Sequence, residues 1–239
     1  MPEITIERRA DRWTITLDRP AAANALSADM VDELADTVAL AEAAGVDALV
    51  FRGSGRNLSA GFDLGHLDTV GDAELLQRFV RVELLLQAIA NSACCTIGLA
   101  HGRNFGAGVD LFAACRWRVA AEAATFRMPG LAFGLVLGTR RFAALVGGAK
   151  AAEILGTLQT FDSAEAQRIG FVQHIVAPDA WPATVDSIQA AAGRLTREHR
   201  ATLHATLASR HDDTDLAALV RSAARPGLKQ RMQAYVAMR

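Results

Sequence analysis

Two short glycine clusters mark places where the backbone, rather than a side chain, could do chemistry: Gly53-Ser-Gly55 and Gly106-Ala-Gly108. Glycine lets a ligand approach the main chain closely. A dinucleotide-binding loop would need a third glycine in each cluster, and those positions hold Leu58 and Leu111, so that signature fails. The chain has no GxxxxGK[ST] phosphate loop and no GxSxG elbow, and its six histidines include no HExxH or other metal spacing. NTPase, serine-hydrolase and metal-enzyme readings therefore lack their motifs. Cys94, Cys95 and Cys115 have neither a disulfide framework nor metal-ligand spacing, and read as small buried apolar residues.

The elements that must position these clusters follow from hydrophobic period. Ile4 and Ile6, then Trp13, Ile15 and Leu17, alternate as two short strands around a turn at Ala10-Asp11. Ser27 is the expected N-cap of a helix with Met30, Val31, Leu34 and Val38 on one face, stopping at Gly45. A strand over Asp47 to Arg52 precedes a loop from Arg56 to Gly65. Residues 72–90 form an amphipathic helix, Cys95 to Ala100 a strand, Gly106-Ala-Gly108 opens an apolar helix ending near Cys115, and Trp117 to Ala120 is a further strand. Strands alternating with helices predict an α/β fold. Residues 1–180 form the expected core; from Trp181 to Arg239 the pattern is helical throughout.

The 239 residues are 51% hydrophobic, enough for one substantial core, and 25 basic against 26 acidic residues leave a net charge of −1. That balance predicts no nucleic-acid surface and no polybasic membrane anchor. No apolar stretch approaches the roughly 18 residues of a membrane span, and the N-terminus lacks the apolar run of a secretory signal. The expectation is a cytoplasmic protein.

Three segments, in this order and at these separations, carry more information than any single motif. They are Leu17-Asp-Arg-Pro20 with Ala23-Asn-Ala-Leu26, then Phe51 to Leu64 containing Ser59-Ala-Gly-Phe-Asp63, then Ile97 to Leu111 containing Asn104-Phe-Gly-Ala-Gly108. Together they resemble the enoyl-CoA hydratase/isomerase (crotonase) superfamily. Phe161-Asp-Ser-Ala-Glu-Ala-Gln-Arg-Ile-Gly-Phe-Val172 is similar to the family's late helix-to-strand element. The resemblance implies a spiral of ββα repeats, C-terminal helices that trimerise (a homotrimer, or a hexamer of two trimers), and an acyl-CoA thioester as ligand with no separate cofactor.

By the family's pattern, the amides of Phe62 and Ala107 form an oxyanion hole for the thioester carbonyl as it becomes an enolate. Ala107 at a helix start has an amide without an intrahelical partner, in a dipole that favours negative charge. Ala60 and Gly106 let the thioester approach. Ala21 and Ala23 offer backbone contacts to the adenine, and Asp63 and Leu64 complete the expected binding set, with Asp63 mainly capping the following turn. The acyl chain is expected against Leu64, Leu67, Phe79 and Leu86, and CoA phosphates at Arg56, Lys229 or Arg231.

The departure from the family pattern lies in the acids. Its hydratases use two glutamates; here those positions hold Asp110 and Gly130. A glycine transfers no proton through a side chain, so the dyad for adding water is broken. The loop Leu131 to Gly138 contains no acid, which leaves Asp110 as the base. Glu83 is a distant alternative, expected on a solvent-facing helical surface. His101 is expected to bond backbone rather than to catalyse, Trp13, Trp117 and Trp181 read as core or interface aromatics, and Arg116 stands where the family commonly has an acid. A one-base double-bond shift fits better than hydration. The alternatives are a non-catalytic acyl-CoA binder and an acyl-CoA hydrolase.

Overall fold

The computed structural model describes residues 2–207 and 211–238. Strands β1 (Ile4–Arg8) and β2 (Arg12–Leu17) form an antiparallel hairpin, closed where Arg9 N donates to Arg12 O at 2.8 Å. Helix α1 (Ala28–Ala43) begins at Ser27, whose hydroxyl accepts from Met30 N, the cap expected there. It returns the chain to β3 (Ala48–Gly53), which pairs parallel with β2. Helix α2 (Asp72–Asn91) leads to β4 (Cys95–Ala100), parallel to β3.

Two short strand–strand–helix units follow: β5 (Arg103–Phe105) with α3 (Ala107–Ala114) after β4, then β6 (Trp117–Ala120) and β7 (Thr125–Arg127) before α4 (Thr139–Val146) and α5 (Gly148–Gly156). Strand β8 (Thr160–Asp162), α6 (Ser163–Arg168) and β9 (His174–Ile175) complete the core, and α7 (Trp181–Ala192), α8 (Arg197–Leu207), α9 (Asp212–Ala223) and α10 (Leu228–Ala237) form the helical C-terminal part. The main sheet runs β1-β2-β3-β4-β6-β9, and β5-β7-β8 make a smaller second sheet. This is the mixed α/β, repeating strand–helix architecture that the resemblance implies. The small sheet was not legible in the sequence, because each of its strands has only three residues, too few for an alternation to register.

Both faces of the main sheet are covered, and alternation along the strands assigns the side chains. Leu49 and Phe51 of β3 pack with α1, while Ala48 and Val50 join Cys95 and Ile97 against Trp181, Val185 and Ile188 of α7. Gly98 of β4 faces α3: a methyl group there would stand 2.7 Å from the Phe112 ring, so its absence lets the helix settle on the sheet. A third cluster brings α2, α9 and α10 together through Phe79, Leu219 and Met232. Arg116, unexplained by sequence, donates to Ala90 O and Ser92 O and so closes the C-terminal end of α2. Among the described residues no helix is long and apolar enough to cross a membrane.

Candidate active site

The loop after β3 is held by the side chains of Ser59 and Asn104 and by the backbone of residues 23–26. Asn104 Oδ1 accepts from Leu58 N at 3.1 Å; Ser59 Oγ donates to Asn24 O and accepts from Gly61 N; Ala60 N donates to Ala23 O at 2.9 Å. Leu26 then pairs with Phe62 as an isolated parallel bridge. In that bridge Leu26 N donates to Gly61 O at 2.7 Å and Asp63 N to Leu26 O at 3.1 Å. The geometry of a parallel pair turns the N–H of Phe62 itself away from Leu26. Among the described residues it donates to no acceptor.

Helix α3 brings the second amide. Gly106 adopts φ +45° and donates to Arg127 O at 2.8 Å, while its carbonyl accepts from Val109 N and Asp110 N. The Ala107 N–H, in the first turn, has no intrahelical partner and no other acceptor among the described residues. The two segments are pressed together. A methyl group on Gly61 (φ +87°) would stand 2.3 Å from Phe105 O and 3.2 Å from Ala107 N, and one on Gly108 would stand 2.6 Å from Ser59 O. Only glycine permits that approach.

Phe62, Ala60, Gly106, Ala107 and Leu64 all line one cavity, together with Asp110 and Gly130. Its other walls are largely apolar, from Phe79, Met128, Phe133 and Leu135, with Thr139 also in the lining and Met232, Tyr235 and Val236 of α10 closing one side. Phe62 stacks on Phe79 with centroids 4.1 Å apart, and the Arg78 guanidinium lies over the Phe62 ring, 4.6 Å from its centroid. No Lys, Arg or His is among the described residues that line it. Two expected wall residues lie elsewhere: Leu86 is buried beneath the sheet, and Leu67 packs within the third cluster without reaching the cavity. The C-terminal contribution was invisible in sequence, because nothing local tells that α10 folds back over this pocket.

Asp110 is 3% exposed, and its Oδ1 is fully buried without a hydrogen-bond partner. Burial, the largest influence, drives its carboxyl well above the usual carboxylate range; Arg141 pulls it back and Glu83 pushes it further up. Gly138 (φ +62°) is packed so closely that a methyl group there would overlap Asp110 Oδ1. Glu83 corrects an expectation. It is 1% exposed rather than solvent-facing, because α2 packs among α1, α3 and α9, and Arg141 of α4 reaches it, Nη2 donating to its Oε1 at 3.1 Å. Gly130 begins a one-turn 3₁₀ segment, Gly130–Phe133, within what was expected as loop.

Asp63 is placed outside this cavity. Its carboxylate accepts from Gly65 N at 2.8 Å, the turn cap expected of it, and pairs with Arg19 at 2.8 Å. Burial pushes it upward, but the Gly65 amide and Arg19 together hold it below the usual range. Ala21 is exposed on a short 3₁₀ segment, while the Ala23 carbonyl is taken by Ala60 N and Asn57 Nδ2. Arg56 is exposed. Two other expected phosphate cations are engaged instead: Arg231 donates to Phe133 O, Arg225 O and Pro226 O, and Lys229 to Asp68 O. His101 bonds Gly55 O at 3.0 Å, as expected. Burial raises Cys94 and Cys95 to about 11 and Cys115 to about 12, which leaves no thiolate nucleophile.

The sequence pattern of the enoyl-CoA hydratase/isomerase family matches residues 8–234, and the chain belongs to that family of enzymes. A crystal structure described as an enoyl-CoA hydratase/isomerase from Bordetella parapertussis is 54% identical, with a TM-score of 0.97 over 99% of each chain. An enoyl-CoA hydratase from Thermoplasma volcanium superposes with a TM-score of 0.79 at 25% identity over 98% of each chain. The crotonyl-CoA hydratase of Syntrophomonas wolfei is 29% identical over 74% of this chain and 70% of its own.

Proposed function

We propose that this enzyme moves a double bond in an enoyl-CoA thioester by a single-base proton shift. The observation that carries the reading is the juxtaposition of two unspent backbone amides, Phe62 and Ala107, with one buried carboxyl, Asp110, in a largely apolar cavity. The thioester carbonyl accepts from the two amides. Asp110 takes a proton from the α-carbon, negative charge collects on the carbonyl oxygen as the enolate forms, and the same proton returns at the γ-carbon as the double bond migrates. One proton moves and no electron acceptor is required.

Energetics favour each part. One preorganised oxyanion donor contributes about 2.7–4 kcal/mol to the transition state. An ordinary carboxylate is too weak a base for a thioester α-proton, and burial makes Asp110 a stronger one, nearer the match that proton transfer needs. Gly130 in the cavity wall argues against hydration, which asks for a second proton-transfer group. Apolar walls without a cation suit an uncharged acyl group. Exposed Leu203 and Leu207 on α8 suit the trimer that the family resemblance implies, which sedimentation would measure.

Incubation with a 3-enoyl-CoA is expected to raise the absorbance of the conjugated thioester, with no change in mass. Ala107→Pro removes the donor at a helix position where proline is accepted and is expected to lower kcat by about 10²–10³-fold. Full activity in that variant would sink the reading. Saturable acyl-CoA binding without turnover would assign a binder, release of CoA thiol a hydrolase, and a product of crotonyl-CoA heavier by one water a hydratase.

A further inference from the structure

Behind Asp110 lies a second layer of charge for which the proton shift as written has no use. Glu83 projects from α2 and Arg141 from α4, and the two pair in the interior with an N–O distance of 3.1 Å. Gln87 Nε2 also donates to Glu83 Oε1 at 3.0 Å, from one turn along α2. Arg141 is tethered by Nη2 alone: its Nη1 is buried with no partner, just as Oδ1 of Asp110 is. A buried donor and a buried acceptor of opposite charge are thus both unspent around one site. Leaving either unsatisfied costs free energy, so the arrangement persists because its parts act on each other or on what enters between them.

We propose that Arg141, held in place by Glu83, is the positioning residue for Asp110: its free Nη1 is kept available to the Asp110 carboxylate and steadies it once the proton has left. The inference rests on Asp110 being the base. It gives a reason for a buried ion pair that isolated stability would not favour, since burying both ions carries a desolvation penalty. The groups that bear on Asp110 are few. Glu83 comes from α2, Arg141 from α4, and α10 places Tyr235 across the cavity. Arg140 pairs with Asp215 toward solvent, and Asp212 is engaged by Asn91. Opposite influences of Arg141 and Glu83 on the Asp110 carboxyl agree with the assignment.

The test is a direct titration of Asp110 in the free protein by carboxyl ¹³C NMR, its signal assigned by loss in Asp110→Asn. Arg141→Gln is expected to raise the midpoint by about one pH unit, and to move the acid limb of kcat/KM by the same amount. Arg141→Lys restores the charge and most of the midpoint; Glu83→Gln lowers it. Should Arg141→Gln fold poorly because Glu83 is left unpaired, Glu83→Gln/Arg141→Gln removes both charges and is expected to show a smaller rise. A midpoint unmoved in folded Arg141→Gln, or no higher in the double variant than in Glu83→Gln, would overturn the proposal. A shifted midpoint with full turnover in Asp110→Asn would instead overturn the base assignment and leave the electrostatic coupling standing.

Discussion

Replacing Asp110 by asparagine should make the protein more stable and nearly inactive, and the two effects have one cause. The carboxyl is buried, Oδ1 lacks a partner, and burial holds the proton on it well above the usual carboxylate range. Asparagine keeps the shape and still leaves an oxygen unpartnered, so what it removes is the cost of ionising a buried carboxyl at neutral pH, about 1–2 kcal/mol. For a chain of this length that is about 2–8 °C in Tm. The pH dependence fixes the origin. The folded state holds the Asp110 proton more tightly than the unfolded chain, so wild-type stability falls as pH rises from the ordinary carboxylate range to the raised value. Asparagine does not titrate there. Its advantage should be smallest near about pH 4, grow through that window, and stay constant above it. Thermal melts followed by circular dichroism across that range measure the gap, and 3-enoyl-CoA turnover should fall about 10²–10⁴-fold. A gap that ignores pH, or an asparagine variant less stable at neutral pH, would refute the argument.

Gly130→Glu supplies a second carboxyl in the cavity wall; its β-carbon meets Leu135 O at 3.1 Å, so a small loss of Tm is expected together with a measurable gain in hydration of crotonyl-CoA by product mass. Gly138→Ala places a methyl group onto Asp110 Oδ1 at a backbone φ of +62°, and should abolish turnover and lower Tm even though the residue touches no substrate. Asp72 accepts from the amides of Gly227, Leu228 and Lys229 at the start of α10, chiefly through the Lys229 amide, and is held below the usual carboxylate range. Its contribution is therefore present at neutral pH and lost as pH falls through that lowered value. Asp72→Ala should loosen α10 at neutral pH, seen as faster amide exchange over Leu228–Ala237 and a higher KM.

The reach of local sequence is clearest at Ser27 and at Gly106-Ala-Gly108. A cap followed by helical spacing, and a glycine pair opening an apolar helix, are set by dihedral preference and hydrogen bonding within a few residues, so α1 and α3 stand where their residues predict. Glu83 and Arg231 mark the limit. On a helix read alone, each looks like a charge for solvent or for a phosphate. One is buried against Arg141 from 58 positions away, and the other is spent on carbonyls as distant as Phe133. The cavity follows the same division. Phe62, Ala107 and Asp110 could be named because the family resemblance carries its pattern onto those positions; of these, only a free amide at a helix start for Ala107, and a carboxyl one turn later, are local facts. That Phe62 and Ala107 line one cavity, that Asp110 is buried, and that α10 walls the cavity depend on packing between segments far apart in the chain. Burial and charge pairing at that range are properties of the assembled fold, and no local pattern encodes them.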